Sequence, residues 1–330
     1  MDRITIIIPC RNEEKYIADC ITSFVNMDYP KSLMEVFIVD GRSEDRTIEI
    51  VNNFKSKYPF IQVLDNPNKF VPSALNIGIK KANTEFVMIA SAHSTFEKNY
   101  ISEVFNSIKS LNCDGAGGVL KTDVKNKTKK TLSICKVLSN SFGVGNSKFR
   151  VGTDKPISVD IVPFGIYRKA IFESVGFYNE ELKRNQDMEL SKRMIEKGKK
   201  IFLIPSAKST YFARETYKEL AINNYGNGLW IPLTVYVTKK FSSLSLRHFI
   251  PMIFLLSLLL PLIMLIIEPF IGLVAFLSFI SYSILLSIIS LKLTDQSTSY
   301  FNILIAFLVL HISYGFGSLI GLTKLNYLKK

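Results

Sequence analysis

Apolar runs of strand length alternate with segments of helical spacing in the first part of the chain. The first run, RITIIIP, ends at Pro9, and residues 13–27 then place Ile17, Ile21 and Phe24 at helical spacing. The alternation recurs in EVFIVD with SEDRTIEIVNNF, in IQVLD with PSALNIGIKKA, and in EFVMIAS with NYISEVFNSIKSL. Because parallel strands need crossover connections, these units predict an α/β fold with a mostly parallel sheet covered by helices.

The last third of the chain has a different pattern. Residues 250–267, 270–291 and 301–322 contain no Asp, Glu, Lys or Arg. Runs of about 20 such residues match the thickness of a bilayer core. We therefore expect two to three C-terminal transmembrane segments.

These patterns divide the chain into a globular domain over residues 1–230, an interfacial linker over 231–248 and a membrane domain over 249–330. No signal-peptide pattern begins at Met1, so we expect a multi-pass protein of the cell membrane with its globular domain in the cytoplasm.

The membrane segments conflict with one topology rule. Glu268 and Pro269 separate the first two segments so closely that they predict a hairpin or a broken helix. Three full spans from a cytoplasmic start would place the C-terminal lysines outside, against the positive-inside tendency. Either one segment is re-entrant or the rule fails for these residues: Lys324, Lys329 and Lys330.

Composition supports the membrane and argues against nucleic acid. Hydrophobic residues make up 48% of the chain, and the net charge is +13, with basic runs at 125–130, 199–200 and 239–247. No nucleic-acid recognition motif accompanies this charge, so an anionic leaflet or ordinary surface solvation explains it better. The four cysteines have no paired spacing, which predicts reduced, buried thiols rather than disulfides or zinc.

The predicted strands end in unusually polar residues: PCRNEE, DGRSEDRT and SAHS. In open sheets, ligands bind outside the carboxyl ends of the strands. Arg11 and Asn12 can contact a diphosphate or a ribose, and Asp40 can accept hydrogen bonds from a base or a ribose. The alternative is local structure, in which Asn12 or Ser43 caps a helix and Asp40 with Gly41 forms a turn.

Five segments in order carry a family resemblance: IIIPCRNEEKYI, VDGRSEDRT, ALNIGIKKANTEFVMI, FGIYRKAIFESVGFYNEEL and NQDMELSKRMIEKGKKI. Over residues 3–230 they resemble family 2 glycosyltransferases with the GT-A fold. FGVGNSKFRVG, DIVPFGIYRK and NGLW are similar to membrane-attached exopolysaccharide transferases of the succinoglycan type. The resemblance implies a Rossmann-like domain that transfers a sugar, with inversion, from a nucleotide-sugar donor, expected to be a UDP-sugar, to a lipid-linked or glycan acceptor.

The resemblance also implies a general base, Asp187 in NQDMEL, because a sugar hydroxyl needs a positioned carboxylate to accept its proton. Gln186 stands where the family often has a first carboxylate. The alternative for Asp187 is a structural role at the start of a helix, through Arg193.

The implied nucleotide-sugar pocket contains Pro9, Arg11, Asn12, Glu13 and Asp40. NGLW resembles a segment that closes over donor and acceptor. Its Trp230 has an equal alternative as an anchor at the membrane interface.

A metal site is the weakest implication of the resemblance. MIASAHSTF aligns with the family's Asp-x-Asp, so Ser91 replaces one acid and His93 occupies the position of the other. A hydroxyl and an imidazole are poor ligands for Mg²⁺, because hard cations prefer carboxylate oxygen. A divalent cation, Mg²⁺ or Mn²⁺, is therefore expected to bind weakly, through donor phosphates with His93 beside it. Otherwise Arg and Lys side chains neutralise the leaving group.

Two other functions stay open from the sequence. One is a polyprenyl-phosphate sugar synthase, whose acceptor is a phosphate rather than a sugar hydroxyl. The other is a catalytically silent nucleotide-sugar-binding subunit of an assembly complex, which the substitution at Ser91 would explain.

Overall fold

The computed structural model describes residues 2–145, 147–264 and 269–324. Within them, the strands are β1 (Ile4–Cys10), β2 (Met34–Asp40), β3 (Ile61–Asp65), β4 (Phe86–Ile89), β5 (Ser94–Phe96), β6 (Gly115–Asp123), β7 (Ile157–Ser158), β8 (Ile166–Arg168) and β9 (Ile201–Phe212). The α-helices are α1 (Ile17–Val25), α2 (Thr47–Lys55), α3 (Val71–Lys81), α4 (Tyr100–Ser110), α5 (Lys129–Leu138), α6 (Ser141–Val144), α7 (Lys148–Val151), α8 (Ala170–Val175), α9 (Gln186–Glu196), α10 (Tyr217–Thr238), α11 (Ile250–Met264), α12 (Pro269–Leu293) and α13 (Tyr300–Thr323).

The chain forms two compact units. The first contains Met1–Thr122 and Ser147–Phe212, and the second contains Asp123–Asn146 and Ala213–Lys330. The expected boundary at residue 230 falls inside α10, which continues to Thr238, so the first half of the expected linker is helical. The segment YGNGLW, which resembles a closing segment, lies within this helix.

The first unit is built on one sheet with the strand order β3-β2-β1-β4-β8-β6-β9-β5, and β7 pairs with β9. β1 is parallel to β2 and β4, and β2 is parallel to β3, as the strand and helix alternation predicted. The pairs β4 with β8, β6 with β8, β5 with β9 and β7 with β9 are antiparallel. The α/β prediction is therefore confirmed, but the sheet is mixed rather than mostly parallel.

The central strand β1 is buried on both faces, which explains its unbroken apolar sequence. Ile6 and Ile8 belong to the core that includes residues of α1 and α4. Ile7 points to the opposite face, where residues of α3, α8 and α9 pack. A Cβ on Gly78 of α3 would lie 2.5 Å from the Ile7 side chain, so glycine allows this helix to approach the sheet closely. The expected buried thiols outside disulfides are confirmed at Cys10, Cys20, Cys113 and Cys135.

The second unit is helical. Its core joins α5, α10, α12 and α13 through side chains that include Ile134, Leu220, Leu286 and Phe307. Thr216 and Glu219 form a capping box that begins α10, with each side chain accepting a hydrogen bond from the other residue's backbone N–H.

Two described helices are long and apolar enough to cross a membrane, Gly272–Leu293 and Tyr300–Thr323. On the first, Phe276, Ile284 and Leu291 are each more than half exposed, which suits contact with lipid better than contact with water. The first apolar segment forms the shorter helix α11. Glu268, Lys329 and Lys330, which entered the topology argument, lie outside the described residues.

The polar side chain of His311 in the apolar helix α13 is satisfied by its neighbours. His311 accepts a hydrogen bond at Nδ1 from the Tyr282 hydroxyl at 2.9 Å, and its Nε2–H donates to the Phe142 carbonyl at 2.9 Å. These partners assign a neutral imidazole, so His311 acts as a structural link between α12, α13 and α6.

Small residues bring α10 and α13 into close contact. A Cβ on Gly317 would lie 2.1 Å from the Tyr225 carbonyl oxygen, and one on Gly321 would lie 2.4 Å from that of Leu229. Ser318 between them donates a hydrogen bond to the Gly228 carbonyl at 3.1 Å. The small-xxx-small segment GSLIG is therefore a packing surface.

Gly317→Ala should destabilise the second unit, because the added methyl group would overlap a backbone oxygen and push the helices apart. We expect a loss of about 1–3 kcal/mol, measured as a lower thermal unfolding midpoint of the purified protein in detergent. Ser313→Ala on the same helix is the control, since its hydroxyl bonds only the Leu310 carbonyl of its own helix. An unchanged midpoint for Gly317→Ala would contradict the close helix contact.

Candidate active site

Hydrogen bonds join the two loops that follow β1 and β2. The Asn12 backbone N–H donates to Ser43 Oγ at 2.9 Å, and Asn12 Oδ1 accepts from the Glu44 N–H at 2.8 Å. The Glu13 N–H donates to Thr47 Oγ1 at 2.8 Å. Asn12 has a left-handed backbone (φ 55°), which asparagine tolerates better than most residues. These bonds hold the loop that carries Arg11 and Glu13.

Asp40 lies at the base of the same network. Its carboxylate accepts hydrogen bonds from the Ser43 hydroxyl at 2.6 Å and from the Ser43 N–H at 3.0 Å. The residue is only 7% exposed. This geometry is the local turn that the sequence offered as the alternative to base or ribose binding.

A cavity of about 530 Å³ opens at the carboxyl ends of the parallel strands. Its volume lies within the range of small-molecule sites, about 300–1,000 Å³. The lining includes most of the residues expected from sequence: Pro9, Arg11, Glu13, Ser91, His93, Gln186 and Asp187. Asn12 and Asp40 are not among the lining residues. Trp230 lies in α10, which belongs to the second unit.

His93 meets a carboxylate that the sequence motif did not place there. Its Nδ1 lies 3.2 Å from Glu13 Oε1, and the Ser91 hydroxyl lies 3.3 Å from Nε2. Both side chains are largely buried, with 19% of each exposed. Glu13 follows β1, and His93 follows β4. The two strands are parallel neighbours in the sheet, so the loops after them lie close together.

This cluster supplies few ligands for a cation. No group of three His, Cys, Asp or Glu side chains that could hold a metal ion occurs in the described part of the chain. One imidazole, one carboxylate and one hydroxyl fit a divalent ion only if other oxygen ligands come from elsewhere, such as phosphates.

Asp187 stands in the first turn of α9, on the wall of the cavity. Asn185 before the helix has a left-handed backbone (φ 62°), which turns the chain sharply into it. The Asp187 carboxylate accepts hydrogen bonds from backbone N–H groups, including that of Met188 at 2.9 Å. The side chain is exposed to the cavity, yet the protein around it raises the pKa of its carboxyl by desolvation. A raised pKa strengthens the carboxylate as a proton acceptor.

The structural role of this helix start is taken by a neighbour of Asp187. Arg193 forms an ion pair with Glu189, with Nε 2.6 Å from Oε1, and its guanidinium donates to the carbonyls of Val175, Gly176 and Phe177. Within the part of the chain that the structure describes, Arg193 pairs with Glu189 rather than with Asp187, and the role of Asp187 as a base stays a prediction.

Two amide oxygens on the cavity wall are buried without a hydrogen-bond partner within the described residues. They are Gln186 Oε1 and Asn66 Oδ1. The Asn66 amide nitrogen donates to the Phe70 carbonyl at 2.9 Å, which fixes the orientation of its amide group.

Sequence reasoning missed two residues of this cavity, Arg150 and Tyr211. Arg150 lies in α7, within the segment FGVGNSKFRVG, whose resemblance was noted without a role for any residue. Tyr211 lies near the end of β9, where β9 pairs with β5 and Ser94 faces it. That antiparallel pairing joins segments far apart in sequence, and no local pattern marks it.

The comparisons with known proteins agree with this geometry. The family model described as Glycosyl transferase family 2 matches residues 5–176, more than half of the chain. A Methanococcus voltae protein, dolichyl N-acetyl-alpha-D-glucosaminyl phosphate 3-beta-D-2,3-diacetamido-2,3-dideoxy-beta-D-glucuronosyltransferase, is 30% identical over 99% of both chains. The succinoglycan biosynthesis protein ExoA of Rhizobium meliloti (strain 1021) is 25% identical over 68% of this chain and 67% of its own.

A solved structure confirms the fold. The mannosyltransferase PcManGT from Pyrobaculum calidifontis, in complex with GDP-Man and Mn²⁺, has a TM-score of 0.59 over 100% of this chain and 88% of its own, at 13% identity. The class that the fold and cavity define is thus a GT-A glycosyltransferase. The chain belongs to glycosyltransferase family 2, which confirms the resemblance drawn from its motifs.

Asp187 and Glu189 of α9 should respond differently to neutralisation. Glu189→Gln should lower the free energy of unfolding by about 1.5–3 kcal/mol, because the charged hydrogen bonds with Arg193 are weakened in a buried place. Asp187→Asn should leave the thermal midpoint unchanged or raise it at neutral pH, because it removes a desolvated charge. Differential scanning fluorimetry of both variants tests this, and equal losses would contradict the division of roles.

Proposed function

We propose that this protein is a membrane-attached inverting glycosyltransferase. It transfers a sugar from a nucleotide-diphosphate sugar, a UDP-sugar by preference, to a lipid-linked acceptor in the synthesis of a cell-surface polysaccharide or related glycan. The observation that carries the proposal is the cavity that joins Arg11, Glu13 and His93 at the strand ends to Asp187 at the start of α9.

A lipid-linked acceptor is favoured over a soluble glycan by two observations. The Methanococcus relative aligns over nearly its whole length, and its name describes a dolichyl-phosphate-linked sugar as the acceptor. The second unit carries two apolar helices of membrane-spanning length, with bulky apolar side chains exposed on α12. A catalytic cavity attached to a membrane suits a substrate that stays in the membrane. The proposal includes a multi-pass arrangement in the membrane, with the catalytic unit in the cytoplasm.

The chemistry is one in-line displacement. The acceptor hydroxyl oxygen forms a bond to the anomeric carbon of the donor, and the bond from that carbon to the diphosphate oxygen breaks. Asp187 accepts the hydroxyl proton as the new bond forms, and the nucleoside diphosphate leaves with the electron pair. Attack opposite the leaving group inverts the anomeric configuration. The raised pKa of Asp187 and its open face toward the cavity support this role.

Glu13 and His93 are the residues that would hold a divalent cation, with Ser91 beside them. When bound, such an ion neutralises charge on the departing diphosphate. Because the protein offers only one carboxylate here, the ion should depend on phosphate oxygens of the donor for its remaining ligands.

The first experiment is a screen of nucleotide sugars against the full-length protein in detergent. A donor present at 100 times its dissociation constant should add about 2.7 kcal/mol to the free energy of unfolding. The stabilising donor is then incubated with polyprenyl-diphosphate and polyprenyl-phosphate sugars, and the anomeric configuration of the product is determined by NMR. Retention of configuration would overturn the inverting mechanism, and failure of all donors to react would favour a silent binding subunit. Transfer to a bare polyprenyl phosphate would instead identify a polyprenyl-phosphate sugar synthase.

Asp187→Asn should reduce kcat by about 10² to 10⁴ while donor binding persists, because the amide cannot accept the proton. In the wild type, kcat should fall as pH drops through the raised pKa of Asp187, since only the ionised carboxylate is a base. The acid limb should therefore lie above the ordinary aspartate range and disappear in the variant. Glu181→Gln, an exposed carboxylate outside the cavity lining, is the control. Near-normal turnover by Asp187→Asn would remove it as the base.

Ser91→Asp should lower the Mn²⁺ concentration that gives half-maximal activity, because it adds a carboxylate beside His93 and Glu13. Calorimetric titration of Mn²⁺ into protein saturated with UDP should show tighter binding in the variant. The exposed Ser110→Asp serves as the charge control. If Ser91→Asp changes neither quantity, or if chelation never affects the wild type, this stretch is not a metal site.

A further inference from the structure

Arg150 is a cation in the cavity without an acidic partner. Its side chain lines the cavity and is half-buried. Its Nη1 donates one hydrogen bond to Thr122 Oγ1 at 3.1 Å, and within the described ranges no carboxylate forms an ion pair with it. Buried charges in proteins are normally paired, so the cavity keeps a positive charge available for an anion.

The guanidinium is held in place by an aromatic ring. Its Cζ lies 5.2 Å from the centre of the Tyr211 ring and 5.8 Å from that of Phe149. The Thr122 bond fixes one edge of the planar group, which leaves its other N–H donors for a ligand. Arginine at such a site presents donors in a geometry that matches phosphate oxygens.

Tyr211 also places Arg150 near the cluster of Glu13, Ser91 and His93. The His93 ring contacts Tyr211 edge to face, with 5.0 Å between ring centres. The backbone explains this contact, because the Phe212 N–H donates to the His93 carbonyl and Tyr211 pairs with Ser94. Arg150 and His93 therefore lie against the same ring, near Ser91, which stands where the family motif has a carboxylate.

Burial lowers the pKa of Arg150, but a guanidinium stays protonated at physiological pH. Desolvation then leaves a full positive charge with few surrounding waters to screen it. An anion that enters the cavity gains more from this charge than from one on the exposed surface.

We propose that Arg150 binds the diphosphate of the nucleotide-sugar donor and neutralises its charge as it departs. This positive charge compensates for the weak metal binding that results from Ser91 in place of a carboxylate. This inference rests on the proposed transferase function and adds a residue to its donor site. It assigns part of the leaving-group stabilisation to a protein side chain that needs no metal ion.

The test measures nucleotide binding with EDTA present, so that no divalent ion contributes. Calorimetry compares UDP, GDP and dTDP with their nucleosides on the full-length wild type, on Arg150→Gln and on Arg150→Lys. For the preferred diphosphate, Arg150→Gln should raise Kd by about 10- to 100-fold, while the weaker affinity for the nucleoside stays the same. The Kd of Arg150→Lys should lie between those of the wild type and Arg150→Gln. Lysine keeps the positive charge but lacks the forked set of N–H donors of the guanidinium.

Arg168→Gln is the matched control. Its guanidinium also lies over a ring, 4.9 Å from the centre of Phe86, but it pairs with Glu85 and is not part of the cavity lining. We expect this variant to bind the diphosphate like the wild type. Thermal midpoints of all variants identify any that fail to fold, and the Arg150→Lys result then carries the comparison.

Three results with Arg150→Gln would overturn the inference. They are an unchanged Kd for the diphosphate, an equal loss of nucleoside and diphosphate affinity, and an effect only on the KM of a phosphate-bearing acceptor. Absence of diphosphate binding by the wild type would overturn it as well. If diphosphate binding depends on Arg150 while no nucleotide sugar is turned over, the binding role of Arg150 stands, and both the proposed transferase function and the role of Arg150 in the departure of the diphosphate fail.

Discussion

The candidate site depends on the hydrogen bonds that tie the loop after β1 to the loop after β2. A parallel sheet brings strand ends to one edge, but it does not fix the loops that follow them. Asn12 supplies both an N–H and a side-chain oxygen to the second loop, and Asp40 holds Ser43, which accepts from Asn12. With these polar groups satisfied by each other, the neighbouring side chains Arg11 and Glu13 are left to line the cavity. Preorganisation of this kind lowers the cost of ordering a site when a ligand binds.

A similar division of labour occurs on α9. Glu189 is buried and pairs with Arg193, which also binds three carbonyls at the end of α8. Two residues earlier, Asp187 has no cationic partner within the described residues and pays a desolvation cost, seen in its raised pKa. One carboxylate stabilises the fold, and the other is destabilising but chemically useful. Residues that reduce stability in this way are concentrated at functional sites.

The sequence predicted best what local periodicity encodes. The apolar run of β1 and the helical spacing after it predicted the parallel half of the sheet, and five ordered motifs predicted the family. The short strands β5 and β8 have three residues each, too few for a period-two pattern, so their antiparallel pairings were missed. Residues brought together by those pairings, such as His93 and Tyr211, could not be associated from spacing. The resemblance places Asp40 and Asn12 in the nucleotide pocket, which stays a prediction, and the structure adds bonds through which they shape the loops. The boundary at residue 230 followed the extent of the family resemblance, whereas α10 continues to Thr238.

The cavity separates its charges in a way that its chemistry requires. If Arg150 were paired with Asp187, the ion pair would lower the pKa of the carboxyl and weaken it as a base, and it would also mask the guanidinium from an incoming diphosphate. The described residues contain no such pair: the Asp187 carboxylate accepts from backbone N–H groups, and Arg150 donates to Thr122 and lies over the Tyr211 ring. Glu189 keeps Arg193, the one arginine on the same helix, occupied elsewhere. The neutral ring of Tyr211 can hold a cation in place without supplying a counter-charge. The carboxylate that we propose as the base and the cation that we propose for the diphosphate can therefore share one small cavity, because each is positioned by neutral groups and neither is neutralised before the substrate arrives.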